Sequence, residues 1–199
     1  FWVRLFKTRP SQRVLLIDKS FFYHSCGLKA FKARHIRIYN YVVGYAAGEK
    51  YSYSSSYKGG ASDMLCLPSI PELSNKTEGG SSQIFGTEYE ENYFSSDSRD
   101  EDVPCALCRS INTSSSVMFP GRKTCYHGWK EEYNGILASS AYLHNPSTYI
   151  CVDSHPTYVS GGHRSNDDHL LYVTKMRCGS LPCPPYKDDL QVYCVVCSK

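Results

Sequence analysis

The cysteines are the residues of this chain whose type and spacing could do the most chemistry. Two pairs are each separated by two residues, Cys105 with Cys108 and Cys194 with Cys197. Thiolates at this spacing can bind zinc, act in redox exchange or form structural bridges. A redox thiolate needs a helix N-terminus, whereas Cys194 stands among valines typical of a strand. The sequence therefore favours bridges, with zinc binding by these four cysteines as the main alternative.

The number of cysteines supports the same interpretation. Ten is an even number, and secreted chains this rich in cysteine usually form disulfides in an oxidising compartment. We therefore predict that all ten are bridged and that the protein is secreted and extracellular. Two sequons, at Asn75 and Asn112, predict glycosylation and agree with secretion. The ten cysteines are Cys26, Cys66, Cys105, Cys108, Cys125, Cys151, Cys178, Cys183, Cys194 and Cys197.

Other side chains offer less chemistry. The second half is rich in histidine, but no nucleophile–histidine arrangement, zinc-binding HExxH pattern or phosphate-binding glycine loop accompanies these residues. His163, Asp167 and His169 come nearest to a surface metal site, and local hydrogen bonding is the favoured interpretation of them. The sequence predicts a protein that is not an enzyme, with no catalytic residues, no cofactor and no bound metal.

Tyrosine is abundant, at 17 residues, and one hydroxyl-rich cluster contains Tyr51 and Tyr53. Exposed tyrosines can pack against sugar rings and donate hydrogen bonds. The second half offers Tyr142 and His144 at the corresponding positions. These four residues are the predicted ligand-binding positions, and their duplication favours weak multivalent binding over catalysis. A tyrosine-rich strand edge followed by a polar loop is the simpler alternative.

This correspondence arises from an internal repeat, in which a glycine, a single cysteine and a CxxC pair recur in the same order. The equivalent residues are Gly44 and Gly135, Cys66 and Cys151, and the pairs that end at Cys108 and Cys197. We predict two copies of one β-rich unit, residues 41–110 and 111–199. An acidic insertion at 72–102 in the first copy is interpreted as a solvated loop, with a calcium site as the alternative. If the copies share one disulfide framework, Cys178 and Cys183 are left to bridge each other.

Residues 1–40 form a basic N-terminal arm in this division of the chain. They carry a net charge of +8, whereas the rest of the chain carries −5. Such an arm suits a polyanionic partner, namely a sulfated glycan, a mineral surface or an acidic protein. A solvated basic face, or docking on the chain's own acidic segment, is the alternative that we favour.

The order of short β-branched and aromatic runs predicts the fold. Gly, Ser, Pro and Asn separate these runs, which indicates an all-β protein of two pseudo-symmetric, disulfide-stapled repeats with long loops. One short helix within 19–38 is the only helical alternative, and no run is long and apolar enough for a membrane span. The predicted strands are 13–17, 37–43, 62–67, 83–88, 116–119, 148–152, 170–176 and 190–196.

Several stretches carry a resemblance to a known family. The segments Pro120–Trp129, Tyr149–Asp153 and Cys178–Tyr186, together with both CxxC pairs, resemble the Cys-rich C-terminal non-collagenous domain of the short-chain collagens of sponges and other aquatic invertebrates. The resemblance covers roughly residues 41–199. It implies a secreted protein of the extracellular matrix and brings no catalytic residues. The chain departs from the family in having no collagen repeat and in its first 40 residues.

The predicted function is that of a secreted, non-enzymatic structural protein of the matrix. It would act as a scaffold or adhesion module that binds other matrix proteins, glycans or a silica mineral phase, alone or as a homo- or hetero-oligomer. A lectin with a defined sugar specificity is the alternative. No nucleic-acid-binding module matches the sequence, so nucleic acid is not among the expected partners.

Overall fold

Ten β-strands and no helix make up the part of the chain that the computed structural model describes, namely residues 39–52, 60–77, 82–109 and 115–199. The predicted all-β class is confirmed. The strand predicted at 13–17 and the helical alternative within 19–38 lie outside the described residues. The strands are β1 (Tyr39–Gly48), β2 (Leu65–Pro68), β3 (Phe85–Tyr89), β4 (Glu101–Asp102), β5 (Pro104–Arg109), β6 (Ser116–Pro120), β7 (Lys130–Ser139), β8 (Ile150–Asp153), β9 (His169–Val173) and β10 (Tyr193–Ser198).

One continuous, curled sheet joins these strands. Its main path runs β2-β1-β3-β9-β7-β10-β6, while β5, β4 and β8 attach to β1, β3 and β7 respectively. The two longest strands, β1 and β7, have ten residues each, and each pairs with three others. They are therefore the central strands of the first and second copy.

The sheet folds sharply around β1 at Gly44. This glycine pairs with Pro68 of β2 on one side and with Cys105 of β5 on the other. Strands two places apart in a flat sheet are roughly 9.5 Å apart. The Cα atoms of Cys66 and Cys105, by contrast, are 5.7 Å apart. A Cβ added to Gly44 would lie 1.6 Å from the backbone oxygen of Leu67, so the fold leaves room only for glycine.

The sheet folds around β7 in the same way at Gly135. This residue pairs with Asp153 of β8 and with Cys194 of β10, and the Cα atoms of Cys151 and Cys194 are again 5.7 Å apart. A Cβ on Gly135 would lie 1.7 Å from the backbone oxygen of Val152. The pairing registers of the two central strands match, including one irregularity near the start of each. A pseudo-symmetric relation between the whole copies stays a prediction.

Disulfides close the curled sheet in each copy. The bridge expected between Cys178 and Cys183 is confirmed. Cys26 and the side chain of Cys108 lie outside the described part of the chain. The described bridges are Cys66–Cys105, Cys125–Cys197, Cys151–Cys194 and Cys178–Cys183. Each joins two residues of the same copy, so these bridges stiffen the copies separately.

A parallel ladder between β3 and β9 joins the two copies, and every other ladder among the described strands is antiparallel. The main apolar core also takes side chains from both copies, whereas a second cluster lies within the second copy. The main core contains Ala46, Met64, Tyr89, Phe94, Val103, Cys105, Ala138, Ile150, Val152 and Leu171. The second contains Tyr133, Leu137, Cys151, Val192, Cys194 and Val196.

Part of the predicted acidic insertion belongs to this shared core. β3 and β4 both lie within 72–102, and Glu88 and Phe94 are buried there. The strand predicted at 83–88 is confirmed as β3, so the interpretation of the insertion as a solvated loop is wrong for residues 85–89. The reason is long-range pairing, because β3 pairs with β1 along one edge and with β9 along the other, and Thr87, Glu88 and Tyr89 are buried in this arrangement.

Candidate functional site

The predicted ligand-binding residues do not form two equivalent patches. The rings of Tyr51 and His144 contact each other, with centroids 4.7 Å apart, and His144 also packs on Tyr172 at 5.4 Å. Tyr142, in the turn before His144, is 94% exposed. Tyr53 lies outside the described residues. Because Tyr51 comes from the first copy and His144 from the second, their contact packs the copies together.

Hydrogen bonds hold Tyr51 in this junction. Its backbone N–H donates to the carbonyl oxygen of Asp168 at 2.8 Å, and its carbonyl accepts the backbone N–H of Asn145 at 2.9 Å. The side-chain amide of Asn145 donates to the carbonyl of Lys50, whose ammonium lies 3.1 Å from the Asp168 carboxylate. Of the predicted ligand residues in the described part of the chain, Tyr142 is thus the one that stands free of the junction.

Glu88 is a buried acid at the same junction, with a side chain that is 2% exposed. Its carboxyl oxygens accept the backbone N–H of Asn166 at 3.0 and 3.2 Å. Burial, together with the nearby carboxylates of Asp102 and Asp168, raises the pKa of Glu88 to about 7, although the backbone hydrogen bonds oppose this effect. The carboxyl group is therefore partly protonated near neutral pH.

His169 is buried beside Glu88 on the neighbouring strand. Its Nδ1 atom lies 3.1 Å from the hydroxyl of Thr87, while Nε2 has no hydrogen-bond partner within the described residues. The ring packs closely on Gly48, where an added Cβ would lie 2.8 Å from it. Burial lowers the pKa of His169 to about 4, so the imidazole is neutral at pH 7.

The structure does not bring the other metal candidates together. His163 is exposed and lies 3.1 Å from a carboxylate oxygen of Glu101, away from the buried His169. Within the described ranges, no group of three or more His, Cys, Asp or Glu side chains is arranged to hold a metal ion. Of the cysteines weighed as zinc ligands, Cys105, Cys194 and Cys197 are bridged.

The glycosylation predictions fall on different parts of the chain. Asn75 is exposed in the loop after β2, as an acceptor for a glycan must be. Asn112 lies outside the described residues. The attachment of glycans at both positions stays a prediction.

An exposed cluster that the sequence did not single out lies around the loop from β6 to β7. We call it the cation–aromatic surface, and its members are Phe119, Arg122, Lys123, Tyr126, Trp129 and Tyr193. The guanidinium carbon of Arg122 lies 4.0 Å from the ring centroid of Tyr126, and Nζ of Lys123 lies 5.2 Å from that of Tyr193. Tyr126 is 51% exposed and Tyr193 is 50% exposed. Cations at these distances are attracted to the electron-rich ring faces.

Phe119 joins two of the other aromatic members. Its ring meets Tyr126 and Trp129 edge to face, with centroids 5.1 and 5.6 Å apart. Its backbone is fixed because Phe119 pairs with Val195 in the ladder between β6 and β10. The Cys125–Cys197 disulfide anchors the following loop to β10 as well. The cation–aromatic surface is therefore attached to the rigid part of the second copy.

A shallow cleft of about 110 Å³ adjoins this surface, and Lys123 and Tyr193 belong to both. This volume is well below the roughly 300–1,000 Å³ of pockets that enclose a small molecule. The site therefore favours contact with part of an extended ligand. The cleft is lined by Phe94, Lys123, Asn134, Gly135, Ile136, Asp153, Ser154 and Tyr193.

One sequence signal could have pointed to this surface. No acidic residue occurs between Asp102 and Glu131, a stretch that contains Arg122 and Lys123. The basic arm at residues 1–40 is the stronger charge signal, because its density of cations is higher. Which aromatic rings meet the cations depends on the turn after β6 and on the pairing with β10, and neither can be derived from local composition.

Comparison of the chain with protein-family models, with curated protein sequences and with solved structures gives no significant match. Across the described ranges, no helix is long and apolar enough to cross a membrane. The fold and the site together define a disulfide-stapled, all-β module that carries an exposed cation–aromatic surface.

Proposed function

We propose that the chain is a secreted, non-enzymatic module of the extracellular matrix, a scaffold or adhesion protein that binds other matrix components. The observation that carries this proposal is the cation–aromatic surface. It is exposed, it is anchored by β10 and by a disulfide, and it lies beside a cleft too small to enclose a ligand. A pre-organised open surface loses little entropy on binding, which suits contact with a polymer.

Two further observations support an extracellular setting. Four described disulfides are consistent with a protein that folds in an oxidising compartment. The resemblance to the non-collagenous domain of the short-chain collagens indicates the same environment. The partners expected on this basis are other matrix proteins, glycans or a silica phase, with self-association or hetero-oligomers as part of the same role.

Binding of the purified, disulfide-intact protein to defined materials tests the proposal. The materials are fibrillar collagen, a panel of immobilised glycans and silica particles, each at low and at high salt. We expect saturable, salt-sensitive binding to at least one of them. A protein that binds none of the three would contradict the proposed function, and a lack of adsorption to silica alone would remove only the mineral version.

A lectin with a defined sugar specificity is the second candidate, and one observation favours it. Tyr142 is 94% exposed, so its ring is available to pack against a sugar. A lectin of this kind would bind one immobilised sugar selectively, and the same sugar in free form would compete for the binding. A folded Tyr142→Ala variant would no longer bind that sugar. If the protein binds no glycan of an array selectively, this candidate is excluded.

A further inference from the structure

We propose that the cation–aromatic surface is a binding site for a sulfated glycan chain. Arg122 and Lys123 would hold sulfate groups, while Tyr126 and Tyr193 would pack against sugar rings. This assignment rests on the function proposed above and narrows it to one class of ligand on one face of the molecule. It differs from the predicted ligand set around Tyr51, with which this face shares no residue.

The two cations are free of acidic partners in the described part of the chain. Neither Arg122 nor Lys123 forms an ion pair there, and Arg122 uses Nε to donate to the carbonyl of Thr124 at 3.0 Å. Several other described cations, Lys175 and Lys187 among them, are also unpaired, but four are matched by carboxylates within the molecule. These paired cations are Lys50, Arg99, Lys130 and Arg177. The positive charge of this face is thus left for an anionic ligand.

The cations are also held in place before a ligand arrives. Arg122 lies over the ring of Tyr126 and Lys123 over that of Tyr193. A long basic side chain normally loses rotamer freedom when it binds, and contact with a ring reduces that loss. A guanidinium group can donate two parallel hydrogen bonds to an oxyanion, whereas an ammonium acts as a compact point charge. Both modes suit the oxygens of a sulfate group.

The aromatic rings distinguish a sulfated sugar from a bare polyanion. Tyr126 and Tyr193 are each about half exposed and combine an apolar ring face with a polar hydroxyl. Sugar rings offer apolar C–H faces edged by hydroxyl groups, which match such side chains. A mineral surface or an inorganic polyanion would use the cations but gain little from the rings. The combination of both side-chain types therefore favours a glycan.

The side chains of the adjoining cleft would determine how the glycan is oriented on this surface. Asn134 and Ser154 line it and can form hydrogen bonds with sugar hydroxyls. Asp153 lines the same cleft, and its carboxylate would repel a sulfate placed there. A sulfate bound by Lys123 should therefore lie outside the cleft, on the side toward Arg122, with an unsulfated edge of the sugar in the cleft. This arrangement favours a chain with spaced sulfates over a uniformly charged polymer.

Binding of the full-length protein to immobilised heparin, a sulfated glycan, tests the proposal. Chemically desulfated heparin serves as the matched ligand control, and binding is measured between about 50 mM and about 300 mM NaCl, where screening of exposed charges increases. We expect the double variant Arg122→Ala/Lys123→Ala to bind at least about tenfold more weakly, because two charge-assisted contacts are lost. Tyr126→Ala should weaken binding about threefold to tenfold and leave the salt dependence unchanged.

The double variant Lys175→Ala/Lys187→Ala is the matched protein control, since it removes the same charge from two cations that are likewise unpaired and lie outside the cation–aromatic surface. It should bind heparin within about twofold of wild type. Far-ultraviolet circular dichroism and the melting temperature show that each variant is folded. Equal binding of heparin by wild type and Arg122→Ala/Lys123→Ala would overturn this assignment and would point to the basic arm at residues 1–40 instead. Equal binding of heparin and desulfated heparin would also overturn it.

The test separates this assignment from the proposed function. A protein that binds collagen, another glycan or silica, but not heparin, would leave the matrix function standing and overturn the sulfated-glycan site. A protein that binds none of these materials would contradict both. Heparin binding that depends on Arg122 and Lys123 would support both together.

Discussion

Replacing Glu88 with Gln should change how stability depends on pH. Burial raises the pKa of Glu88 from 4.5 to about 7 in the folded protein, whereas the unfolded chain exposes the group to water. Between these two pH values the folded state holds a proton that the unfolded state has released. Raising the pH through this window therefore favours unfolding. Glutamine has nearly the same shape and keeps an acceptor for the Asn166 N–H, but it does not titrate.

The size of the effect follows from these pKa values. One pH unit corresponds to about 1.4 kcal/mol, so an interval of about 2.5 pH units gives a loss of about 3 kcal/mol in the free energy of unfolding. Burial raises the pKa of Asp102 and of Glu90 as well. These two groups contribute in the same direction in both proteins. The difference between wild type and Glu88→Gln thus reports the titration of Glu88 together with its coupling to Asp102.

Urea denaturation with intact disulfides, followed by fluorescence from about pH 4 to about pH 8, measures this difference. We expect wild type to lose about 3 kcal/mol relative to Glu88→Gln as the pH rises from 4.5 to 7. Glu72→Gln, in an exposed loop, is the matched control and should follow wild type. Parallel curves for wild type and Glu88→Gln would refute the reasoning, because they would mean that Glu88 titrates alike in both states.

Three further predictions concern other parts of the fold. The free energy of unfolding of wild type should rise by about 3 kcal/mol between about pH 4 and pH 6.5, because the folded state excludes a proton that the unfolded histidine binds. The variant His169→Gln should lack this rise. An unchanged slope in the same urea titrations would contradict the prediction. Gly135→Ala should cost about 3 kcal/mol or more in urea denaturation, because the added Cβ meets backbone. Gly86→Ala is the control, since an added Cβ there has no atom within 4 Å, and it should cost about 1 kcal/mol at most. Equal losses of stability in the two alanine variants would argue against the folded sheet at β7. Removing the Cys151–Cys194 bridge by double alanine substitution should destabilise by about 4 kcal/mol, and removing Cys178–Cys183 by about 2 kcal/mol, since the sequence separations are 43 and 5. Melting temperatures that rank the two variants the other way would contradict the loop-closure estimate.

Local sequence predicted most of the strands but not all of them. Runs of β-branched and aromatic residues located β2, β6, β8 and β9 to within a few residues. β7 is not predicted by the sequence, although it is one of the two longest strands. The reason is that it begins with charged residues and has Gly135 in its middle. A glycine within a strand usually weakens it. Here the glycine is required by the sharp fold of the sheet, which only the long-range pairing reveals.

The repeat in the sequence corresponds to matching strand registers, while the contact between the copies had no sequence signal. The neighbouring sequence alone identifies Gly44 and Gly135 as equivalent residues of the repeat. In the structure, each lies where the sheet folds around its central strand and backbone atoms leave no room for a Cβ. The parallel pairing of β3 with β9 joins residues 82 positions apart, as in the contact of Thr87 with His169. Such a pairing depends on the topology of the whole chain. For the same reason, the burial of Glu88 could not be predicted from its polar neighbours.

The placement of the disulfides has a mechanical consequence. Every described bridge lies within one copy, so none of these cross-links ties the first copy to the second. Tension applied across the molecule would pass between the copies through the connecting chain and through non-covalent contacts. These contacts are the three residue pairs of the ladder between β3 and β9, the shared apolar core, and the hydrogen bonds and ion pair around Tyr51. The junction would therefore yield at a lower force than either copy. Separating the halves would open the shared apolar core, while the disulfides would still hold β2 to β5 and β8 to β10.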